Sequence, residues 1–351
     1  MKVLIVIGSP GLGGAERVSF NLAEWLNRKQ VPTSLVALSG AKGKSYPTEG
    51  CDYVELNSSH IVLALRKEVK RKKPDIVLTM CTPMCVYTVP ALAGLGIKHV
   101  VSERNDPAHF AGRTTTRIIA RALMKLADGY VFQTRDAQEF YGGNIAKRSV
   151  IIPNPLFNIE NMPDEAFGGY YKKTIVTVGR LNKQKNQKML IEAFSEIHKQ
   201  YPEYKLIVYG EGPERAGLEE TIRTLKLQEC CFMPGTTNNL LEEIRDSSLF
   251  VLPSNFEGMP NALMEAMALG LPCISTDCPC GGPRELIRDR ENGLLISVDD
   301  KAALVTAMEK MISDRNMALR MGKNALAIRE THSMDGICQR WLEYFKHVVE
   351  E

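Results

Sequence analysis

The sequence predicts an α/β protein made of two doubly wound domains, each with a parallel sheet. Its 351 residues are enough for about two domains at roughly 100 to 200 residues each. Short β-branched runs alternate with amphipathic stretches, which is typical of parallel strands joined by crossover helices. This alternation stops once, in a stretch of turn-forming residues at 154–171, and then starts again.

The N-terminal part of the chain alternates predicted strands with predicted helices. The runs that predict strands are Lys2–Ile7, Thr33–Leu38, Asp75–Thr79, His99–Ser102, Gly129–Gln133 and Ser149–Ile152. Apolar residues recur at helical spacing in Ala15–Arg28 and Thr115–Leu126, which we interpret as crossover helices. The residues that share the apolar face of the second helix are Ile118, Ile119, Ala122 and Leu126.

After a linker at Asn154–Tyr171, the pattern repeats. The predicted strands are Thr174–Val178, Lys205–Tyr209, Leu249–Leu252 and Pro272–Ser275, and the predicted helices are Gln187–Lys199, Arg215–Leu225 and Asn261–Leu269. We therefore place an N-terminal domain at 1–160 and a C-terminal domain at 161–332. A final amphipathic helix at Ser333–Val349 needs an apolar groove, and we expect residues 333–351 to pack back toward the N-terminal domain.

Composition excludes several classes of protein. Hydrophobic residues make up 44% of the chain and charged residues 24%, which excludes disorder, and nine cysteines in a chain of this size exclude a disulfide miniprotein. Five apolar residues before Gly8 are too few for a signal peptide, so we expect a cytoplasmic protein. The uncharged stretch Ile76–Ile97 is interrupted by proline and glycine, and we interpret it as a buried strand followed by a helix.

A glycine-rich loop follows the first predicted strand. It runs from Gly8 to Gly14 and opens a helix, so its backbone amides are suited to a phosphate. It lacks the third glycine of a dinucleotide fingerprint, which argues against the alternative of a nicotinamide-dependent dehydrogenase. A tight turn without a ligand is the other alternative.

The second domain carries two further motifs just after predicted strands, where parallel sheets bind ligands. Arg180 and Lys185 could grip a diphosphate, although basic loop residues are often only solvated. Glu257 and Glu265 lie eight residues apart, one in a loop and one about a turn into the following helix. Two carboxylates and a helix N-terminus can bind sugar hydroxyls together with a phosphate, whereas the alternative for Glu265 is an exposed helix position.

Taken together, these motifs resemble those of the retaining glycosyltransferases of family four, which have the GT-B fold of two facing Rossmann-like domains with an interdomain cleft. The segments that carry the resemblance are Gly13–Arg17 (GGAER), Val178–Asn186 (VGRLNKQKN), Tyr209–Arg215 (YGEGPER), Glu257 with Glu265, and Gly281–Glu285 (GGPRE). They span almost the whole chain. They specify fold and reaction class, and they say little about the sugar.

The resemblance implies roles for individual residues. Arg180 and Lys185 would neutralise the leaving diphosphate, Glu257 would contact the transferred sugar and Glu265 the ribose. The other residues that would bind the donor are Gly13, Gly14, Pro234, Gly235, Thr236, Gly258, Met259, Pro260, Asn261 and Ala262. A family histidine near the reacting sugar is replaced here, and Glu103, Arg104 or Asn105 would line the acceptor side instead.

The expected reaction is the metal-independent transfer of a hexose or N-acetylhexosamine from a UDP-sugar, with retention, to a lipid-linked glycan acceptor. The histidines and cysteines show no metal-binding spacing, so we expect no metal, no cofactor beyond the UDP-sugar, and no nucleic acid. A UDP-sugar epimerase of the same fold remains the alternative.

The charge distribution suggests one more partner. Residues 1–160 hold 21 Lys and Arg against 13 Asp and Glu, a net charge of +8, which leaves −5 for the remainder. Four cations recur at four-residue intervals at Arg113, Arg117, Arg121 and Lys125, and a second basic run covers Arg66–Lys73. Like charges at this spacing repel, so either this is a solvated face or an anionic membrane surface lies along it. We expect peripheral membrane association without a spanning helix.

Overall fold

The structure is a computed structural model that describes residues 1–11, 13–40, 51–109, 114–157, 162 and 172–351. The chain forms two compact units. The first contains Met1–Pro155 together with Met334–Glu351, and the second contains Leu156–Ser333. Most of the predicted linker at 154–171 lies outside the described residues.

The described part of the first unit holds one parallel sheet of seven strands. Their order is β3-β2-β1-β4-β5-β6-β7. The strands are β1 (Val3–Ile7), β2 (Thr33–Ala37), β3 (Asp52–Glu55), β4 (Ile76–Met80), β5 (Lys98–Ser102), β6 (Gly129–Phe132) and β7 (Ser149–Ile151). The order reverses between β1 and β4, and the loops that follow these strands therefore border the crevice where such sheets bind ligands.

Helices connect these strands. They are α1 (Gly14–Arg28), α2 (Ile61–Lys72), α3 (Cys85–Leu92), α4 (Thr114–Met124), α5 (Arg135–Tyr141) and α6 (Gly143–Lys147). All five residues of β1 are buried, as expected for a central strand of a parallel sheet. In α1, the predicted apolar face is confirmed, because Val18, Leu22, Trp25 and Leu26 are buried.

Helix α4 differs from its prediction. Its buried residues are Ala120 and Met124, whereas Ile118, Ile119 and Leu126 are 63%, 51% and 71% exposed and Ala122 is exposed as well. The crossover helix forms as predicted, but most of the apolar face that the sequence identifies is exposed. The reason is that α4 packs against α3 and the short turn Thr82–Met84, and this contact occupies the face that carries the small residue Ala120.

In its described residues, the second unit holds one parallel sheet of six strands in the order β10-β9-β8-β11-β12-β13. The strands are β8 (Lys172–Val178), β9 (Lys205–Tyr209), β10 (Cys231–Gly235), β11 (Ser247–Leu252), β12 (Cys273–Thr276) and β13 (Leu294–Ile296). The helices are α7 (Gln187–Gln200), α8 (Arg215–Thr224), α9 (Leu240–Ile244), α10 (Asn261–Ala268), α11 (Gly282–Leu286), α12 (Lys301–Ser313), α13 (Arg315–Ala325) and α14 (Ile328–Thr331). This strand order matches that of a dinucleotide-binding sheet, and the order reverses between β8 and β11.

The last helix, α15 (Met334–Glu350), belongs to the first unit. Its apolar face, which includes Trp341 and Phe345, is buried. The Tyr344 hydroxyl accepts a hydrogen bond from the Tyr130 amide at 2.8 Å and donates one to the Arg148 carbonyl at 2.8 Å. These polar contacts fix the helix beside the end of the sheet formed by β6 and β7.

Candidate active site

Hydrogen bonds join two loops of the second unit into one frame at the carboxyl ends of β8 and β11. The Asn255 amide donates to the Gln184 carbonyl at 2.7 Å, and the Gln184 side chain donates back to the Phe256 carbonyl at 3.0 Å. The Asn255 side chain donates to the Lys183 carbonyl at 2.8 Å and accepts from the Asn186 side chain at 3.1 Å. Because β8 and β11 are neighbours in the sheet, these hydrogen bonds join the loops that follow them.

The frame brings Lys185 and Glu257 into contact. Lys185 Nζ lies 2.5 Å from Glu257 Oε1, and the Ser254 hydroxyl donates to the same oxygen at 2.7 Å. The side chains of Lys185 and Glu257 are only 18% and 7% exposed. Two residues predicted to act separately on the diphosphate and on the sugar therefore form a sheltered ion pair, which a separation of 72 residues in sequence does not reveal.

Arg180 lies in a different environment. It lies two residues after the end of β8 and is exposed, and its carbonyl accepts a hydrogen bond from the Gln187 side chain at 3.0 Å. Its guanidinium has no hydrogen-bond or ion-pair partner among the residues that the structure describes. The site thus holds one open cation and one cation that is already paired.

Helix α10 begins next to this frame. Pro260 immediately precedes the helix, and its carbonyl accepts from the Leu263 and Met264 amides at 3.1 and 3.2 Å. Glu265 lies in the second turn and is 6% exposed, so the alternative of an exposed helix position is wrong. Of the remaining predicted donor residues here, Gly258, Met259 and Pro260 are buried, whereas Asn261 and Ala262 are partly exposed.

Motif glycines hold these loops together by close backbone contact. A Cβ atom on Gly282 would lie 1.6 Å from the Gly258 carbonyl oxygen, and one on Gly210 would lie 2.0 Å from the Gly179 oxygen. Gly210 also donates its amide to the Gly235 carbonyl at 2.8 Å. Through this bond the predicted donor-binding segment Pro234, Gly235 and Thr236, at the end of β10, joins the same edge of the sheet. The sequence motifs marked these glycines but did not reveal which loops they join.

In the first unit, the glycine-rich loop ends at Gly13, which caps α1, and Gly14 is the first helical residue. Glu16 folds back toward this helix end, since a Cβ on Gly13 would lie 2.1 Å from Glu16 Oε2. Burial raises the pKa of Glu16, and the hydrogen bond from its own backbone amide opposes that rise. A side chain of this chain thus lies over the helix end for which the sequence predicts a phosphate.

The three predicted acceptor-side residues differ in their surroundings. Glu103 is 1% exposed, and its Oε1 accepts from the amides of Arg104 and Asn105 at 3.0 and 3.3 Å. The Tyr141 hydroxyl donates to its Oε2 at 3.3 Å. Burial raises the pKa of Glu103, whereas these hydrogen bonds lower it. Asn105 is partly exposed.

Arg104 points into the first unit. Its guanidinium donates to the Ile152 carbonyl at 3.3 Å and to the Asn154 side chain, and it lies 5.8 Å from the centre of the Trp341 ring. Burial lowers the pKa of Arg104 to about 10. Since Arg104 is enclosed by parts of its own unit, its contacts support the anchoring of α15 rather than the binding of an acceptor.

The predicted stripe of cations is divided between two roles. Arg113 lies outside the described residues. Arg117 and Arg121 donate to the carbonyls of Ala108 and Pro107 at 2.6 and 2.5 Å, and so they hold the loop that follows β5. Lys125 is exposed beside Leu126. Arg117 and Arg121 are thus engaged with their own loop, Lys125 is open to solvent, and contact of the stripe with a membrane stays a prediction.

The described residues contain neither a candidate cluster for a metal ion nor a candidate membrane span. No group of three or more His, Cys, Asp or Glu side chains in those ranges is arranged to hold a metal ion. No helix in the same ranges is both long enough and apolar enough to cross a membrane.

Comparison with known proteins gives the family. Residues 167–327 match the family model Glycosyl transferases group 1, and residues 12–156 match Glycosyltransferase Family 4. An uncharacterized glycosyltransferase of Haemophilus influenzae is 26% identical over 350 residues, covering 95% of this chain and 96% of that protein. An α-1,4-N-acetyl-D-galactosaminyltransferase of Campylobacter jejuni, named for an acceptor linked to PP-undecaprenol, is 24% identical with 99% of both proteins covered.

Solved structures show the same fold. The lipopolysaccharide outer core galactosyltransferase WaaB matches with a TM-score of 0.79 at 20% identity, covering 99% of both chains. HepE of Anabaena, in complex with UDP, matches with a TM-score of 0.79 at 19% identity, covering 99% of this chain and all of that one. The strand orders, the motif positions and the two matching family models agree, and the chain belongs to the family-four glycosyltransferases with the GT-B fold.

Proposed function

We propose that this enzyme transfers a hexose or N-acetylhexosamine from a UDP-sugar to a lipid-linked glycan, with retention of anomeric configuration and without a metal, in polysaccharide or glycan assembly. The observation that carries the proposal is the frame of the second unit. There Arg180, the Lys185–Glu257 pair and the start of α10 occupy one edge of a nucleotide-binding type of sheet.

The chemistry of this edge suits a nucleoside diphosphate as leaving group. Negative charge builds up on the diphosphate as the glycosidic bond breaks, and fixed cations stabilise that charge in the transition state. Lys185 is such a fixed cation, Arg180 is an exposed cation at the same edge, and the backbone amides at the start of α10 add a partial positive charge. These groups can supply the electrostatic stabilisation that a metal provides in other enzymes.

Known proteins support the choice of donor and acceptor. HepE, which shares the fold, was solved with UDP. The galactosaminyltransferase of Campylobacter jejuni and an α-1,3-galactosyltransferase of Escherichia coli are both named for acceptors linked to diphosphoundecaprenol. The second of these is also named for UDP-Gal as its donor.

Thermal unfolding with a panel of nucleotide sugars tests the donor. A UDP-sugar at a hundred times its Kd should stabilise the protein by about 2.7 kcal/mol, and NADH should give no shift. The sugar that stabilises most is then incubated with the enzyme and a synthetic polyprenyl-diphosphate glycan, and the product linkage is determined by NMR. An α-linked product from an α-linked donor supports the proposal, whereas conversion of the donor sugar without an acceptor would indicate an epimerase.

We further propose that α4 holds the enzyme on the anionic surface where such an acceptor resides. The exposed side chains of Ile118, Ile119 and Leu126 form an apolar surface, and Lys125 adds a positive charge. Burying an exposed leucine or isoleucine is worth about 1.5 to 3 kcal/mol, and each basic residue near an anionic leaflet adds about 1 kcal/mol.

Vesicle sedimentation tests this surface. Wild type should pellet with vesicles rich in phosphatidylglycerol and less with neutral phosphatidylcholine vesicles, and salt should weaken binding. Ile118→Gln with Ile119→Gln should leave the enzyme in the supernatant, because the apolar contribution is lost. The matched control is Phe232→Gln, which removes a side chain that is 39% exposed in the second unit. Equal sedimentation of wild type and the α4 variant would refute the proposal.

A further inference from the structure

The ion pair between Lys185 and Glu257 is part of the framework of the second unit. Each residue belongs to one of the two loops that four hydrogen bonds join, and Ser254 donates to the same carboxylate oxygen as Lys185. The methylene groups of Lys185 also pack on Gly179, where a Cβ would lie 3.3 Å from them. Both side chains are therefore held in place before any ligand arrives.

A diphosphate that binds at Arg180 would lie close to the Lys185–Glu257 ion pair. To reach Lys185 it must share the ammonium with Glu257 or take it away. Taking it away leaves a carboxylate on a residue that is only 5% exposed without its cation, and a buried charge that loses its partner is costly. Sharing it places the negative diphosphate close to the negative carboxylate, which is also unfavourable.

An intact nucleotide sugar resolves this conflict. Its sugar hydroxyls can donate hydrogen bonds to Glu257 in place of Lys185, and the ammonium is then available to the diphosphate. A free nucleoside diphosphate lacks the transferred sugar, and its ribose hydroxyls are assigned to Glu265 instead. We infer that the Lys185–Glu257 pair selects the intact nucleotide-sugar donor against the nucleoside diphosphate product. The inference rests on the proposed function, because it assumes a UDP-sugar as donor.

Calorimetric titration of UDP into charge variants tests the inference. Glu257→Gln removes the competing charge while keeping the shape, so UDP should bind about tenfold more tightly than to wild type, equivalent to about 1.4 kcal/mol. In a Lys185→Met background, Glu257→Gln should change UDP affinity by less than about twofold, since no ammonium remains to be released. Glu257→Gln should increase the affinity for the UDP-sugar chosen from the stabilisation panel less than it increases the affinity for UDP. The reason is that the variant loses the contacts between the sugar hydroxyls and the Glu257 carboxylate.

Arg180 provides the matched control. Its guanidinium has no partner among the described side chains, so its charge is available to UDP and Arg180→Gln should weaken UDP binding. The increase in UDP affinity caused by Glu257→Gln should persist in that background. Glu257→Ala serves as a second variant, and circular dichroism checks that each variant is folded. Unchanged or weaker UDP binding by both folded Glu257 variants would overturn the inference. The inference would also fail if Glu257→Gln increased UDP affinity as much in the Lys185→Met background as in wild type. If neither wild type nor any variant binds UDP, the proposed donor itself is wrong.

Discussion

Lys185 and Arg180 both follow β8, yet their predicted contributions differ. Lys185 is fixed by its loop and by Glu257, so it is already positioned for the charge that develops on a leaving diphosphate. We expect Lys185→Ala to lower kcat by about 10²-fold while the enzyme stays folded. The matched control is Lys183→Ala, an exposed lysine of the same loop, which should leave kcat unchanged. Normal turnover of the Lys185 variant would remove this residue from the donor site.

Substitution of Glu265 tests the proposed contact with the ribose of the donor. It is buried in the second turn of α10, and its proposed partner is the ribose. Glu265→Ala should therefore weaken UDP and UMP by similar factors, because both contain the ribose. Glu257→Ala should instead reduce sugar transfer without weakening UDP. Titration of both nucleotides into both variants checks this, and equal UDP affinities would contradict the division of roles.

At the level of elements, Glu103 links the loop after β5 to neighbouring helices. Its carboxylate accepts from two amides of the loop and from Tyr141 of α5. The titratable groups around it are the guanidinium of Arg104, the thiols of Cys81 and Cys85 and the phenol of Tyr141, and the negative charge of Glu103 acts to raise the pKa of each. Since Glu103 is almost fully buried, its ionised form is the unfavourable one in the folded protein.

The raised pKa of Glu103 predicts a pH dependence of stability. Between the ordinary glutamate value and the raised one, the folded state binds more protons than the unfolded state. The free energy of unfolding should therefore fall as pH rises through this range, and Glu103→Gln should remove that part of the fall. Urea unfolding between pH 5 and 8, followed by tryptophan fluorescence, measures it. If the free energy of unfolding changes equally with pH in wild type and in the variant over this range, the prediction is wrong.

How far elements can be predicted from sequence is shown by α1 and α4. Both have apolar residues at helical spacing, and periodicity alone assigns both a buried face. In α1 that face is buried, whereas α4 buries only Ala120 and Met124 because its neighbours are a short turn and another helix. Periodicity identifies an apolar face but not what covers it. Strands β3, β10 and β13 were not predicted: β3 has a charged residue at each end, β10 ends in Pro-Gly, and β13 has only three residues.

The candidate site shows the same limit. Spacing and position after strands were sufficient to select Arg180, Lys185, Glu257 and Glu265. The ion pair was not predictable, because it depends on β8 and β11 being neighbours and on side-chain amides of Gln184 and Asn255 joining the loops. Likewise, Arg104 follows Glu103 directly, but only the position of Trp341 in the folded first unit shows why its side chain turns inward.

On the scale of the whole molecule, the chain crosses between its two units twice, and the second crossing delivers α15 to the first unit. Trp341 is fully buried there, and its indole nitrogen has no hydrogen-bond partner among the described residues, so the ring is held by packing and by the nearby Arg104 guanidinium. Both tryptophans of the chain, Trp25 and Trp341, belong to this unit. Tryptophan fluorescence therefore reports on the first unit, whereas circular dichroism reports on both.

This arrangement predicts how the two units unfold. Trp341→Ala should destabilise the first unit by about 3 to 5 kcal/mol, the usual cost of truncating a large buried aromatic side chain. The unfolding transition followed by Trp25 fluorescence should move to a lower urea concentration. The transition of the second unit, followed by circular dichroism, should keep its urea midpoint. The matched control is Phe194→Ala, which truncates a fully buried aromatic residue of the second unit and should give the reverse result. If both variants shift both transitions together, the two units unfold as one cooperative body and α15 stabilises the entire chain.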